Sequence, residues 1–340
     1  MADMKHKVLS YISSKIPYRL LDKLAISYPL VPYYHIVSDD DVVHLKYLYS
    51  YKTPQEFRGD IDFLLKHFEP IDLIELLNYV KNGSPLPKRS FLLTFDDGFR
   101  EIHDIVAPIL LEKGLSATFF LNSAFIDNKN LFYKHKASIL VAYFEQNPQD
   151  KITGVIKDVL KKYTVKFTNL PDVLLSLELH QKAVIDEIAQ FVGYDFDDYL
   201  SKNKPYLTTD QINHLLGQGF TIGAHSIDHP NYSLLNLQEQ LFQTLTSVEH
   251  LKGRFHIDYA VFSFPHGDFN LPKIFFNSLN DSNKLDLTFG NCGFIRDECA
   301  MNIQRMNFEK PGLPADKILR YEFTKNIIKK MIGKDYIVRH

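Results

Sequence analysis

One stretch, Phe91-Leu-Leu-Thr-Phe-Asp-Asp-Gly-Phe99, limits what this chain can fold into more than any other. It predicts a short strand over Phe91–Phe95, apolar enough to be covered on both faces, that stops on two adjacent carboxylates and a glycine. Two neighbouring charges beside a core are expensive unless something compensates them, and a metal ion is the commonest compensation. Successive strand side chains point to opposite faces, so Asp96 and Asp97 are expected to face different ways and not both to reach one ion.

The rest of the chain alternates strands with helices. Val31–Val37 reads as a first strand, and Thr53-Pro54-Gln55-Glu56 is a capping box opening a helix to about His67. A second helix over Ile71–Val80 stops before Asn82-Gly83, and a third over Ile102–Lys113 closes on Gly114. Ala117–Leu121 is another buried strand. From about residue 125 to 205 helical periodicity runs without any strand rhythm, with helices expected at Lys134–Phe144, Gly154–Tyr163 and Leu179–Val192. This is read as a helical insertion. Alternation resumes with a helix from Thr208 to about Leu216, a strand Phe220–Ala224 and a helix from Asn236 to about Leu251. A strand Tyr259–Phe264, a helix Leu271–Leu279, a short strand Leu285–Phe289 and a final helix Ala315–Ile332 follow. Such alternation implies an α/β fold, a parallel sheet or barrel with its site at the C-terminal ends of the strands. The expected division is an N-terminal helical segment (1–30), a barrel over 31–310 carrying the insertion, and a C-terminal helix (311–340).

Charge and cysteine content exclude several classes. Lys plus Arg is 39 against 41 acidic residues, a net charge of -2, which makes no electrostatic case for nucleic acid or anionic membrane. Cys292 and Cys299 build neither a disulfide framework nor a CxxC metal site and read as thiols in a reducing compartment. Lys5, Lys7, Lys15, Arg19, Asp22 and Lys23 interrupt the N-terminus, so no signal peptide or membrane span is visible and a cytoplasmic location is expected. Val8, Leu9, Ile12, Ile16, Leu20, Leu21 and Leu24 recur there at helical spacing. That stripe suits packing on the domain and leaves peripheral contact with the inner membrane face open. Nothing in the sequence speaks to the oligomeric state.

Three strand ends gather the chemistry: Asp96-Asp97, then His225-Ser-Ile-Asp-His229, then Ser263-Phe-Pro-His-Gly267. Histidines separated by three residues are neighbours if the segment makes one helical turn, so both can reach one ion. Two histidines and one aspartate leave coordination positions open, which suits catalysis by Zn²⁺ or another divalent first-row ion such as Co²⁺, Ni²⁺ or Fe²⁺. The other aspartate is then free to take a proton from an attacking water.

Thr94-Phe-Asp-Asp-Gly98 followed by His225-Ser-x-x-His229 resembles the polysaccharide deacetylases of carbohydrate esterase family 4, the rhizobial chitooligosaccharide deacetylase homology domain. The resemblance covers about Val31 to Arg305, less the insertion. It implies a distorted (β/α) barrel of about seven parallel strands and metal-dependent deacetylation of an acetylated glycan, at nitrogen or oxygen. It also implies Asp96 as general base and Asp97, His225 and His229 as metal ligands. Three departures stand out. Where the family has Arg-x-Pro-Tyr this chain has Ser263-Phe264-Pro265-His266; the late tryptophan motif cannot exist in a chain without tryptophan; and the late Leu-x-x-His motif is absent. Biofilm and surface-polysaccharide deacetylases, which look circularly permuted, are more similar. Their early Tyr-His is matched by Tyr34-His35 and their third motif by Phe262-Ser-Phe-Pro-His-Gly267.

In that subgroup the early histidine is the general acid, which points to His35. The backbone over Pro265, His266 and Gly267 is then the expected oxyanion and substrate contact, with His266 a second candidate acid. Arg305 is the candidate to replace the missing arginine by pairing with Asp96, keeping it ionised and oriented. Phe99, Tyr133, Tyr232 and Phe269 flank the motifs as sugar platforms, none singled out. Two other readings stay open: a glycan-binding protein that keeps a relic of the site, and a metal-dependent hydrolase of a non-sugar amide.

Overall fold

Along the central strands, alternate side chains go to two different cores. Leu93, Phe95, Phe119, Leu121, Ile222 and Phe262 pack outward under the surrounding helices. Val31, Leu92, Phe120, Val261, Leu287 and Phe289 form a second, inner cluster. A period of two that feeds apolar residues to both faces is what a covered parallel sheet requires. The computed structural model describes residues 9, 11–18, 21, 28–147 and 152–340.

The sheet is parallel, nearly closed and wound in chain order: β1 (Pro32–Tyr34), β2 (Leu93–Phe95), β3 (Ala117–Leu121), β4 (Thr221–Ala224), β5 (Val261–Ser263) and β6 (Leu287–Gly290). Two short strands complete the ring. β7 (Asn302–Gln304) pairs with β6, and β8 (Met306–Asn307) pairs with β1 through Pro32↔Met306. They are consecutive pieces of one extended run, interrupted at Arg305. Counted together they give a seven-staved distorted (β/α) barrel, as the resemblance implies. The sequence reading assigned no strand there, because Asn302-Ile-Gln-Arg-Met306 carries no apolar run.

The inner row is apolar low in the barrel and polar above. Ile71, Leu73, Leu76 and Leu77, the last three on helix α1 (Leu73–Asn82), close the N-terminal end. Further along the strands the inward positions become Thr94 and Asp96, Ser263, His225 and Arg305, all buried. Chemistry therefore sits at the C-terminal ends of the staves.

Several elements depart from expectation for local reasons. Residues Ser90–Phe91 pair with Glu69–Pro70, so the expected strand Phe91–Phe95 comes in two pieces. Ile102–Val106 is a π-helical turn ahead of Ala107–Glu112, with the Ala107 N–H reaching the Ile102 carbonyl. Pro108 has no N–H to return to the Asp104 carbonyl, and the ladder bulges by one residue. The last helix stops at Met331. Gly333 then takes φ 65, and Tyr336–Ile337 pairs with Arg296–Asp297, so helix does not continue to residue 340.

Among the described residues, 133–203 hold five α-helices: Tyr133–Gln146, Ile152–Lys162, Leu170–Ser176, Lys182–Val192 and Phe196–Asn203. The third and fifth are too short to show periodicity in sequence, and Leu179–Gln181 is a separate 3₁₀ turn. Together these helices share a core with Ile36, Val42 and Leu45, which follow β1. Of the N-terminal stripe, Val8, Leu20 and Leu24 lie outside the described residues; Leu21 is buried against the barrel and Ile12 is exposed. Among the described residues no helix is long and apolar enough to cross a membrane.

Candidate active site

Strand parity brings Asp96 into the barrel. Its N–H donates to the Tyr34 carbonyl at 2.9 Å, so it keeps the register of β2 and shares the face of Leu92 and Thr94. Asp97 then leaves the strand altogether with φ 71, followed by Gly98 at φ 67. The two carboxylates do diverge, as expected, but a left-handed turn separates them rather than strand alternation. A Cβ on Gly98 would come within 2.9 Å of Leu121 Cδ2 at a φ that L side chains rarely adopt, so this turn favours glycine. Ser226, His229 and His266 also have positive φ, at 71, 60 and 58. Each such residue costs on the order of 1–3 kcal/mol and persists where its surroundings over-determine it, which is commonest at functional sites.

The three strand ends meet. Asp97 Oδ1 lies 3.5 Å from His225 Nε2 and 3.2 Å from His229 Nε2. One ligand atom from each residue falls within 4.8 Å of the others. The expected helical turn between the histidines is absent. The segment bends instead through Ser226, whose Oγ accepts from the His229 backbone N–H at 3.0 Å, and the rings sit 5.0 Å apart. Asp97 Oδ1 is buried and has no hydrogen-bond partner. His225 Nδ1 donates to the Ser263 carbonyl at 2.8 Å, which fixes the tautomer and turns the Nε2 lone pair toward Asp97. Burial pushes the His225 imidazole down to about 4, so it is neutral and a competent ligand. These residues fit a divalent cation: an orphaned carboxylate oxygen facing two imidazoles is the donor set of an open metal site.

Asp96 has a different neighbour. Arg305 grips it with both fork nitrogens, Nη1 to Oδ1 at 2.8 Å and Nη2 to Oδ2 at 2.7 Å. The Ser263 hydroxyl donates to Oδ1 at 3.2 Å and accepts from Arg305 Nη2 at 2.6 Å. Arg305 is fully buried, stacked 4.8 Å over the Tyr33 ring, and its Nε holds the Gly290 carbonyl at 3.1 Å. Burial raises the Asp96 carboxyl, but the charge and hydrogen bonds of Arg305, helped by His225 and His35, together keep the group below its ordinary value. The serine standing at the family's arginine position thus lies between the carboxylate and the arginine that reaches it from the closing strand.

His35, just past β1, carries a partner that sequence reading missed. Its Nδ1 lies 2.5 Å from Glu309 Oε2, while Glu309 Oε1 accepts from the backbone N–H groups of His35 and Ile36 at 3.1 and 2.8 Å. Burial alone would lower the imidazole, but the Glu309 charge and hydrogen bond lift it to about 9. No pattern around Glu309 signals this; it arrives through barrel closure. In the third motif, the Gly267 N–H is spent on the Pro265 carbonyl at 2.6 Å. The exposed His266 ring packs 4.7 Å from that of His229.

His35, Asp96, Asp97, His225, His229, His266 and Glu309 line one cleft of about 580 Å³. Its walls include Tyr33, Tyr47 and Tyr49 from the β1 side, and Phe132, Lys134 and Leu175 from the helical region. The aromatic residues next to the motifs are elsewhere: Phe99 and Tyr232 are core, Tyr133 lines a neighbouring pocket, and Phe269 is exposed.

The family model for polysaccharide deacetylase matches residues 83–288. Among solved structures, the chain is similar to the Streptococcus pyogenes deacetylase PplD, solved with acetate, at 11% identity and TM-score 0.55, covering 86% of this chain and 97% of that one. It is similar to IcaB from Ammonifex degensii at 14% identity and TM-score 0.53, covering 87% and 96%. A de-N-acetylase from Aggregatibacter actinomycetemcomitans gives 14% and 0.53, covering 85% and 98%. At these identities the likeness is one of fold. No curated protein sequence matches the chain.

Proposed function

The chain belongs to the polysaccharide deacetylase family, and on that premise we propose that it removes N-acetyl groups from a glycan, with Asp96 as general base, His35 as general acid and Asp97, His225 and His229 as ligands of a divalent ion. One observation carries this reading. In a single cleft, a carboxylate locked to a buried arginine stands beside a carboxylate oxygen that has only imidazoles in front of it. Leaving such an oxygen unpaired is costly, and the ligand set suits zinc first, then cobalt, nickel or iron. Bound there, the ion supplies Lewis acidity, making water more acidic and polarising a carbonyl oxygen.

Asp96 takes the proton of the attacking water. Its Oδ1 already accepts from Arg305 and Ser263 and its Oδ2 only from Arg305, so the open lone pair is on Oδ2. Arg305 keeps the base ionised and fixes its plane. The oxyanion donor is the His266 backbone N–H, because Pro265 has none and that of Gly267 is already engaged. His35 Nδ1 is held by Glu309, so the proton for the departing amine leaves from Nε2. An amide needs this acid more than an ester does, since an amine anion is a very poor leaving group.

Acetate release is measured across a panel of acetylated glycans and generic amides, after chelation and after loading with Zn²⁺, Co²⁺ or Ni²⁺. Release from a glycan that stops on chelation and returns with metal is expected. Release from non-sugar amides alone would move the activity to another amide hydrolase. No release from any metal-loaded sample would reduce the cleft to a binding site.

A further inference from the structure

Behind the cleft lies a second buried ionic cluster that touches none of the reacting groups. Arg339, on the tail after the last helix, is enclosed together with Asp268 and Asp297. Its Nη2 lies 2.5 Å from Asp268 Oδ2 and also pairs with Asp297 Oδ2, while its Nε donates to Asp297 Oδ1 at 2.9 Å. Its Nη1 donates to the backbone carbonyls of Asp268 and Leu271 at 2.6 and 3.2 Å. The carboxylates are completed from the closing strand: Asn302 Nδ2 and Gln304 Nε2 each reach Asp268 Oδ2 at 2.6 Å and Asp297 Oδ2 at 3.0 and 3.1 Å.

The position of this cluster gives it leverage. Asp268 directly follows the Pro265–Gly267 turn. Gln304 directly precedes Arg305, and alternation along the strand sends Gln304 to the cluster and Arg305 to Asp96. Gly290 is where the two systems touch: its carbonyl accepts from Arg305, and a Cβ there would fall 2.5 Å from the Asp268 carboxylate oxygens. One guanidinium against two enclosed carboxylates tolerates little displacement, because any movement leaves a buried charge unpaired.

We propose that Arg339 is a positioning residue for deacetylation, holding from outside the cleft both the Pro265–Gly267 turn and the strand that presents Arg305 to Asp96. This rests on the deacetylase reading above. Misplacing a reacting group by about 1 Å can cost on the order of 10²-fold in rate, so Arg339→Met is expected to lower kcat by about that factor. KM and the affinity for Zn²⁺ should stay within a few-fold, since Asp97, His225 and His229 have no bond to the cluster. Arg339→Lys keeps the charge without the fork and should recover part of the loss.

Hydrogen–deuterium exchange of the metal-loaded full chain supplies a readout independent of turnover. Arg339→Met should speed exchange over residues 266–268 and 302–306 and leave 225–229 unchanged. If Arg339→Met does not fold, Asp297→Asn, which leaves Arg339 paired with Asp268, should show the same pattern more weakly. A folded variant with unaltered kcat overturns the proposal. So does a kcat loss that only follows a loss of Zn²⁺ affinity. Failure of the unaltered protein to release acetate would strike the deacetylase reading instead, and the exchange pattern would still decide whether Arg339 holds the turn.

Discussion

Arg305 and Arg339 are both buried against carboxylates, yet their surroundings assign them opposite tasks. Arg305 spends its fork on one carboxylate, stacks on Tyr33, and leaves Asp96 a lone pair toward the cleft. Arg339 is shared between two carboxylates that also accept from Asn302 and Gln304 at Oδ2 and from the backbone N–H groups of Asn291 and Cys299 at Oδ1. The first arrangement keeps a carboxylate charged but available; the second surrounds its carboxylates with donors. A buried ion pair becomes chemically useful only when it is left incomplete, and the two centres, which meet on one strand at Gln304 and Arg305, show both conditions.

The contrast can be broken at several points. The largest effect is expected for Asp96→Asn, which should lower kcat by roughly 10⁴-fold, the upper end of what a positioned acid or base contributes, with bound Zn²⁺ retained in a metal assay. A variant near the unaltered rate would remove Asp96 from its role. Next comes Arg305→Lys, which keeps the charge but loses the fork and should cost about 10²-fold in kcat with little change in KM. Should it behave no worse than Arg339→Lys, the distinction between the two centres collapses.

A third variant tests the acid through pH. His35 is held above its ordinary value, at about 9, so its proton is present at neutral pH and is lost as pH rises through that value. The alkaline limb of kcat is therefore expected near 9. Glu309→Gln removes the main raising influence and leaves the burial that lowers it, so the limb should move down toward the ordinary value of 6.5. An unmoved limb would show that another group supplies the proton. The smallest effect is expected for Phe132→Ala, a wall residue from the helical region: KM should rise a few-fold for glycans with kcat unchanged, the mark of lost uniform binding.

The legible parts of the chain were those written in neighbouring residues. Capping boxes at Thr53, Thr208 and Asn236 open the helices they announce, because a cap is a bargain among four consecutive residues. The strand ends converge because parallel βα alternation leaves them no other rim. The Arg305–Asp96 contact was legible only through an absence, the arginine missing from the third motif. What sequence could not show was tertiary. Glu309 meets His35 across 274 positions, and Arg339 meets Asp268 across 71. Neither carries a local signal. The geometry of the histidine pair was misjudged for a related reason: a helical turn suits the spacing, whereas the positive φ of Ser226 is imposed by surroundings that sequence does not display.

The closing run over residues 302–307 has a consequence for how the molecule comes into being. Its first half pairs with β6 and its second with β1, so the ring stays open until this run is made. Arg305 lies within it, Glu309 just beyond, and Arg339 on the tail. During synthesis from the N-terminus, His35 and Asp96 emerge long before Glu309 and Arg305, the residues that hold them. The two contacts that fix these side chains are therefore among the last the chain can make.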